Sequence, residues 1–130
     1  MGGNALIRTD LGTFAVDLEL EVVLEGGAEL PERDTPDVGL PRVIAAAATG
    51  STVIAVVDHR PPLVVSHDAG LTWRETGGGL PGGRAVAVDD DDPDRILYAA
   101  RNRLYLSEDG GRFWRVLGVE LPAIEAIAFE

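Results

Sequence analysis

Two groups of side chains in this sequence are of types that can carry chemistry. The first is a repeated pairing, Ser66 with Asp68 and Ser107 with Asp109, set 41 residues apart. The second is polar and rich in arginine: Asp58, His59 and Arg60, and then Arg101, Asn102 and Arg103. A guanidinium presents its N–H donors as a planar fork, so arginines gathered on one face suit a carboxylate, a phosphate or an acidic peptide. Polar hairpin tips are the plainer account of the same residues. The other candidates lack partners. His59 and His67 do not make a metal pair, because His67 sits at a variable place in the repeated motif and His59 in a loop. Tyr98 and Tyr105 alternate with apolar neighbours, as core strand residues do. The stretch Gly77–Gly83 lacks a lysine and leads into a strand, which is not a phosphate loop. No nucleophile stands beside a base, so no catalytic residue, cofactor or metal is expected.

The elements that must position these groups are announced by repetition. Ser66-His67-Asp68-Ala69-Gly70-Leu71-Thr72-Trp73 and Ser107-Glu108-Asp109-Gly110-Gly111-Arg112-Phe113-Trp114 share Ser, Asp, Gly and Trp at the same places. A second marker, Leu40-Pro41, Leu80-Pro81 and Leu121-Pro122, recurs at intervals of 40 and 41 residues. A period of about 40–45 residues is that of a β-propeller blade, four strands forming one radial sheet. After each Leu-Pro comes a run rich in small apolar residues: Val43-Ile44-Ala45-Ala46, Ala85-Val86-Ala87-Val88 and Ala126-Ile127-Ala128-Phe129. Such a run suits the innermost strand of a blade, buried on both faces and crowded at the axis.

Each residue of the octapeptide has a physical task. The Asp carboxylate can accept hydrogen bonds from backbone N–H groups of a tight turn. Gly70, with Gly110 or Gly111, supplies a positive φ where the chain reverses. Trp73 and Trp114 give large apolar surfaces to wedge between sheets, each with an indole N–H that needs a partner. The octapeptide resembles the Asp-box, S-x-D-x-G-x-T-W, of the BNR-repeat proteins: sialidases, sortilin-type receptors, xyloglucanases and photosystem II assembly factors. The first copy matches throughout, including Thr72; the second carries Phe113 in place of Thr. The resemblance implies a box in the hairpin between the third and fourth strands of a blade, away from any ligand pocket, and so a structural role for Ser66, Asp68, Gly70, Thr72, Trp73, Ser107, Asp109, Gly111 and Trp114. It also implies that loops between strands two and three lie on the opposite face, which would gather Asp58, His59, Arg60, Arg101, Asn102 and Arg103 near a channel mouth. Sialidase chemistry in that family uses an arginine cluster, a Tyr nucleophile with a Glu partner and an Asp acid; no such arginine motif precedes the first box here.

The fold class expected is all-β, with about three four-stranded antiparallel blades per chain. Residues 1–39 would form an incomplete N-terminal blade followed by an acidic, Pro-rich loop. Residues 40–79 and 80–120 would form two blades with boxes, and 121–130 the first strand of a further blade. The full blades are read as strands near Val43–Ala48, Thr52–Val57, Leu63–Ser66 and Thr72–Glu75, then Ala85–Val88, Arg95–Ala100, Leu104–Ser107 and Phe113–Leu117. The N-terminal stretch Ala5–Gly12 can be laid on Leu63–Gly70 as a decayed box retaining Asp10 and Gly12, or, the preferred reading, is a second strand with Thr13–Asp17 and Leu20–Leu24 as the third and fourth; either way the strands end near Glu25-Gly26-Gly27. The chain's two ends are complementary, and three blades are too few to close a ring. A homodimer in which Ile124–Phe129 of each chain completes the N-terminal blade of the other would make a six-bladed propeller; a piece of a longer propeller and an open stack of blades are the alternatives. Asp89-Asp90-Asp91-Asp92-Pro93-Asp94 reads as turn chemistry, since the ligand and glycine spacing of a calcium loop is missing.

Composition narrows the partners. With 22 acidic and 11 basic residues the formal charge is −11, which argues against nucleic acid, whose phosphates need a basic face. Cysteine is absent, so no disulfide framework or thiol nucleophile exists. No stretch approaches the ~20 apolar residues of a membrane span and no secretory pattern opens the chain, which leads to the expectation of a cytoplasmic protein without a membrane partner. The function expected is a non-catalytic scaffold that self-associates and binds a protein or a small anionic ligand. The competing reading is a glycan-active protein, lectin-like or related to a glycoside hydrolase.

Overall fold

A computed structural model of the chain describes residues 3–24, 29–33 and 35–130. Among the described residues there are twelve strands: β1 (Asn4–Thr9), β2 (Gly12–Asp17), β3 (Val22–Leu24), β4 (Val43–Thr49), β5 (Thr52–Val57), β6 (Leu63–Ser66), β7 (Arg74–Thr76), β8 (Ala85–Val88), β9 (Ile96–Ala100), β10 (Arg103–Ser107), β11 (Arg115–Glu120) and β12 (Ile124–Phe129). They form three four-stranded antiparallel sheets, propeller-like blades in the orders β12-β1-β2-β3, β4-β5-β6-β7 and β8-β9-β10-β11. These are blades 1, 2 and 3 below. The sequence-read end of the N-terminal strands at Glu25-Gly26-Gly27 lies outside the described residues.

The inner strands β4, β8 and β12 are those with small side chains, and they bring the blades together. β8 packs against β4 and β5, and β12 packs against β8 and β9, so blade 3 is the middle of an arc. Alternation along each strand serves two interfaces at once, because successive side chains point to opposite faces. Val86 and Val88 of β8, with Ile96 and Tyr98 of β9, meet Ile54, Val56, Leu63 and Val65 of blade 2. Ala85, Ala87, Leu97, Ala99, Leu104 and Leu106 face the other way, onto Ala5, Ile7, Val16 and Leu18 of blade 1. Each fully buried aliphatic or aromatic side chain contributes about 1.5–3 kcal/mol. Both faces of β8 are buried for this reason, whereas β4, of the same composition, stays half-exposed.

The last strand behaves differently from the exchange expected of a dimer. β12 pairs with β1 of its own chain, Ala5 opposite Phe129 through Thr9 opposite Ile124. Its start is pinned by Ile124 N–H donating to Arg101 C=O at 2.8 Å and by Asp10 N–H donating to Ala123 C=O at 3.1 Å. The link from β11 is only Leu121-Pro122-Ala123, and it sets the strand down between β8 and β1. Blade 1 is thus complete without a partner's strand.

The outer strands begin later than the sequence suggests. β7 starts at Arg74 and β11 at Arg115, because the amides of Thr72 and Phe113 are turned back onto an Asp carboxylate.

Candidate functional site

The hairpins between β6 and β7 and between β10 and β11 are closed by the two repeated octapeptides. In the first, Thr72 N–H donates to Asp68 Oδ1 at 2.9 Å, the Thr72 hydroxyl donates to Oδ2, and Ser66 Oγ donates to Oδ1 at 2.7 Å while accepting Gly70 N–H at 2.8 Å. In the second, Asp109 Oδ1 accepts the Arg112 and Phe113 amides at 3.1 and 3.0 Å and the Ser107 hydroxyl at 2.9 Å. Ala69 and Gly70, like Gly110 and Gly111, take positive φ, 60°, 89°, 76° and 92°. A third hairpin uses the same chemistry without the motif: Asp17 Oδ1 accepts the Glu19 and Leu20 amides, both at 2.9 Å. An aspartate followed within three residues by turn amides, between two apolar strands, is the signal that points to it.

The carboxylates of Asp68 and Asp109 are held ionised by the chain itself. Asp68 is lowered to about 2, first by the Thr72 hydroxyl, then by the Thr72 amide and Ser66. Asp109 is lowered chiefly by the Phe113 amide. Because the folded value lies below the ordinary ~3.9 of an unfolded aspartate, the stabilisation from Asp68 is complete above pH ~4 and disappears as pH falls through about 2. The thermal midpoint of the chain is therefore expected to fall between those limits. The Asp68→Asn variant should be less stable at neutral pH and show a shallower acid decline, read by thermal melts from pH 2 to 7.

Trp114 sits at the seam of blades 2 and 3. Its Nε1–H donates to Thr76 Oγ1 and to Gly111 C=O, both at 3.1 Å, and its ring stands edge-on to Tyr98 with centroids 6.3 Å apart. Trp73 packs instead on Ala55, Val57 and Val64, the flank of blade 2 that faces no other blade. Tyr98 is fully buried, donates its hydroxyl to Pro81 C=O at 2.7 Å, and is pushed up to about 12 by burial and then by the neighbouring Tyr105. It stays neutral across the physiological range.

At the opposite end of the blades lie the starts of the inner strands and the hairpin tips with Asp58, His59 and Arg60. These three line a small cleft of about 380 Å³ at the seam of blades 2 and 3, together with Ile44, Leu80, Gly82 and Gly83. The expected gathering of six residues is divided. Arg103 turns to the outer edge, where it pairs with Glu120 at 2.9 Å. Arg101 and Asn102 hold the start of β12 through their backbone carbonyls, and neither lines this cleft. Asp58 to Arg60 alone thus offer an exposed cation and imidazole over an apolar floor, a set able to hold an amphipathic anion.

A larger cleft of about 700 Å³ runs along the axis, floored by alanines of β4, β8 and β12. Arg8 and Arg84 stand at its strand-start mouth, and Asp89, Asp90 and Glu130 at the other. Arg8 pairs with Glu125 at 3.6 Å, whereas Arg84 pairs with no carboxylate among the described residues. Residues 30–33 and 35 also line the cleft, and Arg33 forms a bidentate pair with Asp90. Neither Arg84 nor this strap was legible as site material in the sequence, because a lone arginine before a strand and a Pro-rich loop carry no spacing. The acidic run is a turn: Asp89 Oδ1 accepts Asp91 N–H at 2.9 Å, Asp92 Oδ1 accepts Asp94 N–H at 3.2 Å, and Asp89 pairs with Arg95 at 3.1 Å. Among the described residues no group of three or more His, Cys, Asp or Glu is arranged to hold a metal ion, and no helix is long and apolar enough to cross a membrane.

No protein-family model matches the chain, and no curated protein does. Among solved structures, a GH74 enzyme of Niastella koreensis is similar to it, with 21% identity, 93% of this chain covered and a TM-score of 0.49. The chain spans 18% of that enzyme's length.

Proposed function

We propose that this protein is a non-catalytic, propeller-forming scaffold of the BNR-repeat type, which self-associates and presents its inner-strand face to a protein or a small anionic ligand. One observation carries the reading: the groups that would have to do chemistry are already engaged in building blades. The carboxylates of Asp68 and Asp109 accept neighbouring amides and hydroxyls, and the Tyr98 hydroxyl is spent on Pro81 C=O. Arg84 at the axial mouth and Arg60 over the small cleft form no ion pair among the described residues, and they share those clefts with the carboxylates of Glu130 and Asp58. Guanidinium groups bind and orient anions without needing a reaction.

Light scattering on the full chain tests the assembly, with a mass near twice 13.7 kDa expected. Calorimetric titration with a panel of dicarboxylates, phosphate esters and acidic peptides tests the face. Binding that weakens at least tenfold in Arg84→Ala or Arg60→Ala supports the reading. Hydrolysis of glycoside substrates, or glycan-array binding that survives both substitutions, would move the protein to the glycan-active class.

A further inference from the structure

The tip between the second and third strands of a blade lies beside the link that enters the next blade, and the chain shows this junction twice. In blade 3 the tip is Arg101-Asn102 and the link is Leu121-Pro122-Ala123. The two are stitched together: Leu121 N–H donates to Asn102 C=O at 3.1 Å, and Ile124 N–H to Arg101 C=O at 2.8 Å. In blade 2 the tip has five residues in place of two, Asp58-His59-Arg60-Pro61-Pro62, and the link includes Leu80-Pro81-Gly82-Gly83. No backbone hydrogen bond joins this tip to this link among the described residues. The tip is tied to its own blade instead, Asp58 N–H donating to Arg42 C=O at 2.9 Å and Val57 N–H to Pro62 C=O at 2.8 Å. The gap left open is the cleft of about 380 Å³.

Three kinds of surface meet in that gap. The first is an apolar wall of Ile44, Val57, Pro62 and Leu80. Ile44 is 49% exposed and stands at a bulge, where the pairing of β4 with β5 shifts between Val43 and Ala45; a bulge re-aims the side chain it carries. The corresponding positions of the other two repeats, four residues beyond Leu80 and Leu121, hold the charged Arg84 and Glu125. The second surface is the Arg60 guanidinium with the His59 imidazole, and the third is the Asp58 carboxylate. None of these three side chains is hydrogen-bonded or ion-paired among the described residues, although Asp58 and Arg60 are only two positions apart. On the link side nothing crowds the cleft, since no atom lies within 4 Å of a Cβ at Gly82.

We propose that this cleft binds a free α-amino acid with a branched aliphatic side chain, its carboxylate on Arg60, its ammonium on Asp58 and its side chain on Ile44 and Leu80. The inference rests on the anion-binding reading above, which already uses Arg60, and names the ligand class. A plain anion would meet Asp58 as a like charge, which disfavours it; a zwitterion turns the same carboxylate into a partner. Charge and apolar wall thus match the three parts of one small molecule. Size agrees, because the cleft lies at the small end of the roughly 300–1,000 Å³ of ligand sites. Because the tip is tied down by the Asp58 and Val57 amides, the two charged side chains are mounted on a fixed turn, which lowers the ordering cost of binding.

The test is a titration of the full chain followed by amide NMR shifts, with leucine and three analogues that each lack one part: 4-methylpentanoate without the ammonium, 3-methylbutylamine without the carboxylate, and glycine without the side chain. Leucine is expected to move the amides of Asp58, His59, Arg60, Gly82 and Gly83, and each analogue to bind about tenfold more weakly or worse, the loss of one charge-assisted contact or of the apolar one. Asp58→Asn should weaken leucine by about the same factor and leave 4-methylpentanoate unchanged, whereas Arg60→Gln should weaken both. The backbone amide that ties the tip down survives in Asp58→Asn, and the analogue series on the unaltered chain decides the matter if a variant does not fold. A 4-methylpentanoate that binds as tightly as leucine overturns the amino-acid site and leaves anion binding at Arg60 standing. No shift at the cleft with leucine or any analogue at millimolar concentration overturns the cleft as a site, and anion binding is then judged at Arg84 alone.

Discussion

Gly83→Ala is expected to cost about 3 kcal/mol of stability, the upper part of the range for forcing an atom into a filled core, and to lower the thermal midpoint by about 10 °C. A Cβ at Gly83 would lie 2.3 Å from Ala99 O and 2.6 Å from the Tyr98 ring. Neither neighbour can step aside. The Ala99 carbonyl accepts Arg84 N–H at 3.2 Å in a sheet, and Tyr98 is fully buried with its hydroxyl on Pro81 C=O. Gly82→Ala is the matched control, because no atom lies within 4 Å of its Cβ position. Thermal and urea melts of the two variants should separate clearly; equal stabilities would mean that the seam of blades 2 and 3 is looser than its contacts imply.

Ile7→Ala should be of similar size, about 2–5 kcal/mol, as for other aliphatic deletions in a packed core. Ile7 is fully buried and lies between Ile127 of β12 and Phe14 of β2 in the register of blade 1. It also belongs to the core shared with blade 3 through Leu97, Leu104 and Leu117. A core shared by blades 1 and 3 predicts that the loss appears as a single shifted urea transition. Two transitions would show that blade 1, with its strand from the far end of the chain, unfolds apart from the others.

Much of the fold was legible because its signals are local. The octapeptide turns close with hydrogen bonds spanning four residues or fewer, so residue types at fixed offsets suffice to recognise them. Inner strands are legible by their small apolar runs. The ion-pair pattern was not, since Arg103 finds Glu120 only when β10 and β11 align; from sequence it stands beside Arg101 as an equal candidate. Gly83 is one of several glycines between residues 77 and 83, and nothing local marks it as the one pressed against Tyr98. The partner of β12 was ambiguous for a deeper reason: the strand makes the same contacts with β1 whichever chain supplies it. Only the short link at Leu121–Ala123 favours its own.

The aspartate-closed hairpins leave one more consequence. Each is fixed by hydrogen bonds within its own turn, yet each carries a large apolar side chain at its tip: Leu20, Leu71 and Phe113 are 70, 84 and 78% exposed. No core cluster includes any of the three. Positions 20, 71 and 113 are thus rigid mounting points, one per blade, where new side chains or short peptides can be grafted with their spacing set by the scaffold and little effect on its folding.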